Sequence, residues 1–320
     1  MPFRQRSATR PFPRLRKGLR LAWHMGRHLD VAIAAMVLGG KMPDFKHPYL
    51  GLSTAFRPFQ PLCCAGWDER EKLARMVDHL KTVERLGGIL LPLTNAPRLL
   101  ATLSDLGDDY SVKIDEPFWM LNDGLAALSV WKGIDRIFTL SFLLTSSSGQ
   151  LGCFVGGLQG RREDGVLDIY RAMTKEAHGL RPRDLIIELH RMFCRSLGVT
   201  HITAVADQAR YQYDRYFGAE PLNVSSLSYD EAWAERGGSR INSSWFRLPI
   251  NPVRRTIDEI PAKKRSLYAR RYRLLDSLEQ AMARAVNCAF RDDGLTISPS
   301  RHHTDAQAPL REGDAPYRLV

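Results

Sequence analysis

The chain has little cysteine, no long apolar run and none of the common catalytic signatures. Its five cysteines, at positions 63, 64, 153, 194 and 288, form an odd set with no C-x-x-C pair. A disulfide framework and a zinc ribbon are therefore not expected, and a reducing compartment is. The longest uncharged run near the amino end, residues 31–40, covers ten residues. A membrane-spanning helix needs about 20, so none is expected. The basic stretch ahead of it is longer than an ordinary signal n-region, and no small-residue cleavage site follows. These features predict a cytoplasmic protein, at most peripheral to the inner membrane. There is no Walker A loop, no G-x-S-x-G and no H-E-x-x-H. His24 and His28 are four residues apart but lack a third ligand, so no metal is expected.

What the sequence does hold is positive charge, unevenly placed. Of 320 residues, 46 are Lys or Arg and 35 are Asp or Glu, for a net charge of +11. Residues 1–30 contribute +7 of this and residues 254–273 contribute +6, leaving a nearly neutral body. Such patches favour phosphates or anionic lipid. Residues 1–30, with Pro2, Pro11 and Pro13 among the arginines, read as a disordered arm able to contact an anionic membrane surface. Residues 31–110 read as a helical part packed on a core at 111–290, and residues 291–320 as a disordered tail.

Periodicity supplies the elements. Leu73, Met76, Val77, Leu80, Val83 and Leu86 recur at helical spacing and predict a helix over 67–86, stopped by Gly87 and Gly88. A short strand over 89–93 and a brief helix through Leu106 should follow. Short apolar runs at 112–119, 125–131, 134–144, 151–158 and 165–173, separated by turn residues, predict an antiparallel meander. A helix over 183–197 should bury Leu185, Leu189, Met192 and Phe193 and expose Arg183, Glu188, Arg191 and Arg195. The strand over 201–206 should then lie parallel to the strand before the helix. A final strand at 245–249 and a long helix over 263–290 close the core. The fold class is α/β (α+β), a mixed, mostly antiparallel sheet with flanking helices.

The start of the 183–197 helix is a candidate anion site. Its free N–H groups and positive dipole end meet Gly179, which allows close approach, and the cations Lys175, Arg181 and Arg183. A second candidate is the aromatic and acidic segment with Tyr229, Asp230 and Trp233, suited to an amine or sugar acceptor. A third is Lys264, Tyr268 and Arg271, which share one face of the last helix. Lys263, Lys264 and Arg265 stand at its amino end, where the dipole disfavours them. Solvated turns and packing contacts remain the alternative for each set.

The meander, the loop with its phosphate-facing helix and the parallel strand beyond look like the general-control-related N-acetyltransferase fold. In that family a glycine-bearing loop grips the pyrophosphate of acyl-CoA. The matching stretch here is Glu176-Ala-His178-Gly179-Leu180-Arg181, in which an acid and an arginine replace two of the usual positions. The segment from Tyr211 to Gly218 looks like that fold's tyrosine-bearing helix. Several further strings resemble the bacterial VirK/YbjX family. They are Phe154-Val-Gly-Gly-Leu-Gln-Gly160, Thr174-Lys175 with His178-Gly-Leu-Arg-Pro182, Ser228-Tyr-Asp-Glu-Ala-Trp233 and the stretch from Ile260 to Asp276. That family is associated with virulence, the cell envelope and antimicrobial-peptide resistance in Gram-negative bacteria.

The two resemblances together imply an acyltransferase-like protein acting on an envelope component, with acyl-CoA or acyl carrier protein as donor. Lys175, His178, Gly179, Leu180, Arg181 and Arg183 would hold the donor and a lipid or sugar would be the acceptor. The strand at 166–173 would face the pantetheine arm, Asp207 would be the base and Tyr213 the acid. A non-catalytic binding or regulatory protein with a degenerate donor site is the alternative, and a nucleic-acid-associated regulator a second one.

Overall fold

The computed structural model describes residues 21–41, 56–87, 90, 97–116, 119–146, 149–161, 165–218, 222 and 227–292. The expected strand over 89–93 falls outside these residues except for Leu90, as do residues 1–20 of the arm and 293–320 of the tail. Residues 21–27, expected within the disordered arm, are helical and lead into helix α1 (Leu29–Lys41).

Helix α2 (Glu69–Leu86) starts at Asp68, whose carboxylate accepts the Glu71 N–H at 2.8 Å, and ends at Gly87. Eight strands then form one sheet. These are β1 (Arg98–Thr102), β2 (Tyr110–Asp115), β3 (Ala126–Lys132), β4 (Asp135–Thr145), β5 (Gly152–Gly160), β6 (His201–Val205), β7 (Ser239–Arg240) and β8 (Trp245–Leu248). The order across the sheet is β1-β2-β3-β4-β5-β6-β8-β7. β1 to β5 are an antiparallel meander, as the alternating runs and short turns require. β5 and β6 are parallel, and β6, β8 and β7 return to antiparallel pairing.

Three elements differ from the sequence reading. The run at 165–173 is helix α3 (Val166–Glu176), not a fifth meander strand. Val166, Ile169, Tyr170 and Met173 repeat at i, i+3, i+4 and i+7, and this period outweighs the apolar character of the run. The strand pairing in parallel with β6 is therefore β5, and the crossover between them carries both α3 and α4 (Pro182–Ser196). The predicted helix through Leu106 is instead β1, an edge strand held by its ladder to β2. The predicted tyrosine-bearing helix, Tyr211 to Gly218, is two successive 3-10 turns at 211–213 and 215–217.

The core lies between the sheet and its helices. α2 and α4 both lie against β4, and α6 (Arg265–Asp292) runs along α4 and reaches β1. Leu274, Leu278, Met282 and Val286 of α6 are buried, as their spacing predicts. Lys263 and Lys264 sit in a 3-10 turn directly ahead of α6 and Arg265 is its first residue, so all three stand at the positive end of its dipole. Short helix α5 (Tyr229–Glu235) packs beside β8.

Candidate functional site

The β5–β6 pairing covers only Gly152 to Val155, so β5 runs on to Gly160 without β6 beside it. Tyr229 fills the gap. Its hydroxyl accepts the Leu158 N–H at 2.8 Å and donates to the Leu158 carbonyl at 3.1 Å. Trp233, fully buried one turn later, donates its indole N–H to the Val205 carbonyl at 2.8 Å. Both rings thus tie α5 to the diverging strand ends.

Asp207 stands at the end of β6, as its position predicts, and its carboxylate is engaged at the start of α5. It accepts the backbone N–H groups of Tyr229 at 2.9 Å and Asp230 at 3.1 Å and the Ser228 hydroxyl at 2.9 Å. Desolvation raises its pKa, but these three donors and Arg210 outweigh it and hold the carboxyl below its ordinary value. Asp230 in return accepts the Asp207 N–H at 2.8 Å and pairs with Arg240. Tyr213 lies exposed in the 3-10 turn at 211–213.

The amino end of α4 already holds a negative group. The Glu235 carboxylate is gripped by both Arg181 and Arg183, and Arg181 also reaches the buried Asp184 at 2.7 Å. The turn before it is constrained as well. His178 and Gly179 have φ of 51° and 81°, the left-handed region that glycine tolerates and other residues rarely adopt. Arg271 of α6 donates twice to the His178 carbonyl, at 3.0 and 2.9 Å. A Cβ on Gly179 would sit 2.8 Å from the Arg271 Nη2 atom. Lys175 is exposed near the carboxyl end of α3.

Beside this corner a cavity of about 590 Å³ opens between α4, α6, the end of α5 and the loop after β8. Leu180, Tyr268, Arg271 and Glu235 line it, so two sets that the sequence treated separately share one wall. Lys264 is not part of that wall. The sequence reading missed the rest of the lining. It includes Arg191, Arg195, Arg236, Arg254 and Arg255, which with Arg271 make six arginines against Glu188, Glu235 and Glu279. The Arg254–Arg255 pair in a proline-flanked loop was the available signal.

Arg191 and Glu188 were expected on the surface and are buried. The Arg191 side chain is 0 % exposed, donating to Glu188 at 2.8 Å and to the Arg236 carbonyl at 2.6 Å. Burial lowers its pKa, with Glu188 opposing. A helix covered on its outer side by α6 and by the chain after α5 has no solvent face at that turn. The Nε atoms of Arg191 and Arg236 are buried and make no hydrogen bond. Arg195 and Arg254 are paired with Glu279 and Asp276, at 2.6 and 2.5 Å. The groove is thus a cationic wall with donors left over, next to a corner whose cations are satisfied.

Cys153, His190 and Cys194 also converge, in the core between β5 and α4. The His190 Nε2 atom lies 3.5 Å from the Cys153 sulfur and 3.6 Å from that of Cys194, and all three residues are buried. Three possible soft-metal ligands therefore meet where the sequence suggested none; no fourth accompanies them among the described residues.

Residues 48–284 match the family described as protein of unknown function (DUF535), and the chain belongs to that family. It is 34% identical over 145 residues to the uncharacterized protein YbjX of Escherichia coli K12, covering 45% of this chain and 43% of that relative. Two uncharacterized proteins of Haemophilus influenzae are each 24% identical over 244 residues. Those matches cover 73% and 74% of this chain and 77% and 80% of the relatives. No solved structure matches the chain.

Proposed function

We propose that this protein binds a phosphate-bearing polyanion in the arginine groove, on an acetyltransferase-like framework whose donor corner is closed by its own Glu235. The observation that carries this reading is the groove itself, six arginines around about 590 Å³, with the buried Arg191 Nε making no hydrogen bond and the Arg236 Nε only a 3.8 Å ion pair with Asp184. A buried donor without an acceptor costs about 1–3 kcal/mol, and a phosphate oxygen removes that cost. Guanidinium forks also match phosphate geometry better than other cations do. The resemblance drawn from the sequence points to acyl-CoA or acyl carrier protein as the class of guest. It also points to an envelope-supporting role.

An acyltransferase is the second reading. The antiparallel meander followed by a crossover helix and a parallel strand supports it. Against it stands the committed carboxylate of Asp207, since a general base needs a free acceptor.

Calorimetry with acetyl-CoA and with pyrophosphate tests binding. Arg255 is exposed in the groove's loop, and Arg255→Glu should weaken both ligands by at least about tenfold, the loss of one charge-assisted contact. Unchanged affinity in that variant, or no binding by the wild type, removes the groove assignment. Release of free thiol from acetyl-CoA with an amine acceptor present would decide for the second reading.

A further inference from the structure

The amino-terminal helix has two apolar sides, and only one of them meets the core. Val31, Ala32 and Ala35 are buried against Phe59 and Leu73. On the other side Leu29, Ile33, Met36 and Val37 repeat at i, i+4, i+7 and i+8 and are 61, 59, 54 and 47 % exposed. At 3.6 residues per turn these four occupy a sector of roughly 100°, turned well away from the buried three. Trp23, just upstream, is 56% exposed, with the Arg27 guanidinium over its ring at 4.7 Å. Single exposed apolar side chains are ordinary, but a helical stripe of them marks a binding face.

The sequence ahead of this stripe says what the face meets. Residues 1–20 hold Arg4, Arg6, Arg10, Arg14, Arg16, Lys17 and Arg20 and no acid at all. We propose that the exposed face of the helix at residues 21–41 docks the protein on an anionic bilayer surface. The Leu29, Ile33, Met36 and Val37 side chains enter the boundary between headgroups and acyl chains, and the seven cations that precede the helix in sequence add attraction to anionic headgroups. Either signal alone gives marginal, reversible attachment, and the two together give stable binding. The helix lies on the surface; among the described residues no helix is long and apolar enough to cross a membrane. A second copy of the chain is the poorer occupant, because it carries the same net charge of +11, whereas an anionic bilayer answers both the apolar stripe and the positive charge.

This proposal does not rest on the groove, and its test leaves the groove intact. The full chain is floated with vesicles of phosphatidylcholine alone and of phosphatidylcholine with phosphatidylglycerol, at low and high salt. The wild type should associate at least about tenfold more with the anionic vesicles. The double variant Ile33→Glu/Met36→Glu should lose about tenfold in association with an unchanged melting temperature, because both side chains are exposed. Deleting residues 1–20 should remove the salt dependence. Brominated lipid should quench the part of the fluorescence that a Trp23→Phe variant lacks. Equal flotation of the double variant, or indifference to phosphatidylglycerol, overturns the proposal. So does a wild-type dimer in analytical ultracentrifugation that the double variant dissolves, which would give the stripe to a second copy.

Discussion

Helices α2 and α4 both bury polar groups against the same sheet, and they treat them differently. On α2, Lys72 meets Asp214 at 2.7 Å with both side chains at most 5 % exposed. His79 accepts the Leu144 N–H on its Nδ1 atom at 3.0 Å, and Thr82 lies 2.9 Å from the Ser146 hydroxyl. Each polar group there has its acceptor or donor within the chain. On α4, Arg191 keeps an unpaired Nε beside an open cavity. Buried polar groups that are fully answered hold the fold together. One left partly unanswered beside a cavity is a place for something else.

The contrast can be broken or sharpened by experiment. Lys72→Met leaves the buried Asp214 carboxylate without its cation, with the Tyr216 N–H still donating to it at 2.8 Å, and should cost about 3–5 kcal/mol, read from the urea midpoint at constant slope. A loss below about 1 kcal/mol would show that α2 tolerates an unanswered charge after all.

Acid should expose the same region. Burial pushes the His79 imidazole down to about 4, with Asp78 opposing, whereas an unfolded histidine titrates near 6.5. The unfolded chain takes up that proton first, so stability falls as pH drops from 6.5 to 4. The loss is about 3 kcal/mol. His79→Asn, which keeps an acceptor for Leu144, should flatten stability against pH across that window.

On α4 the corresponding change should cost less. Arg191→Met should lower stability by about 2 kcal/mol, because Arg236 already lies 3.7 Å from Glu188 and keeps that carboxylate partnered. A cost as large as that of Lys72→Met would erase the difference between the helices. Smallest of all is Arg181→Ala, at the half-exposed corner. Its pair with exposed Glu235 contributes about 0–1 kcal/mol, and the buried Asp184 that it also reaches keeps Arg183 at 3.2 Å, so the melting temperature should move little.

The sequence made much of this architecture legible. Alternation and short turns gave β2 to β5, and the glycine stop and apolar spacing gave α2 and α4, because these signals are local. β1 was misread because an edge strand is decided by its partner, and α3 because its apolar content was weighed above its period. Arg191 could not be placed from its own helix. The carbonyl it donates to belongs to Arg236, 45 residues further on, and the cover over it comes from α6. The amino end of α4 was read as a site for an incoming anion, and the negative group found there is Glu235, from a segment considered as an acceptor pocket.

The glycines of β5 carry a last consequence. A methyl carbon at Gly156 would stand 1.9 Å from the Asp123 carbonyl oxygen, and one at Gly157 would stand 2.2 Å from its carboxylate. The strand and the Asp123 loop therefore touch where only hydrogen atoms fit between them. Even alanine, the mildest replacement, would act here as a wedge and evict the loop. The string Phe154-Val-Gly-Gly-Leu-Gln-Gly160 is then a clearance specification, set by how near two pieces of main chain must come.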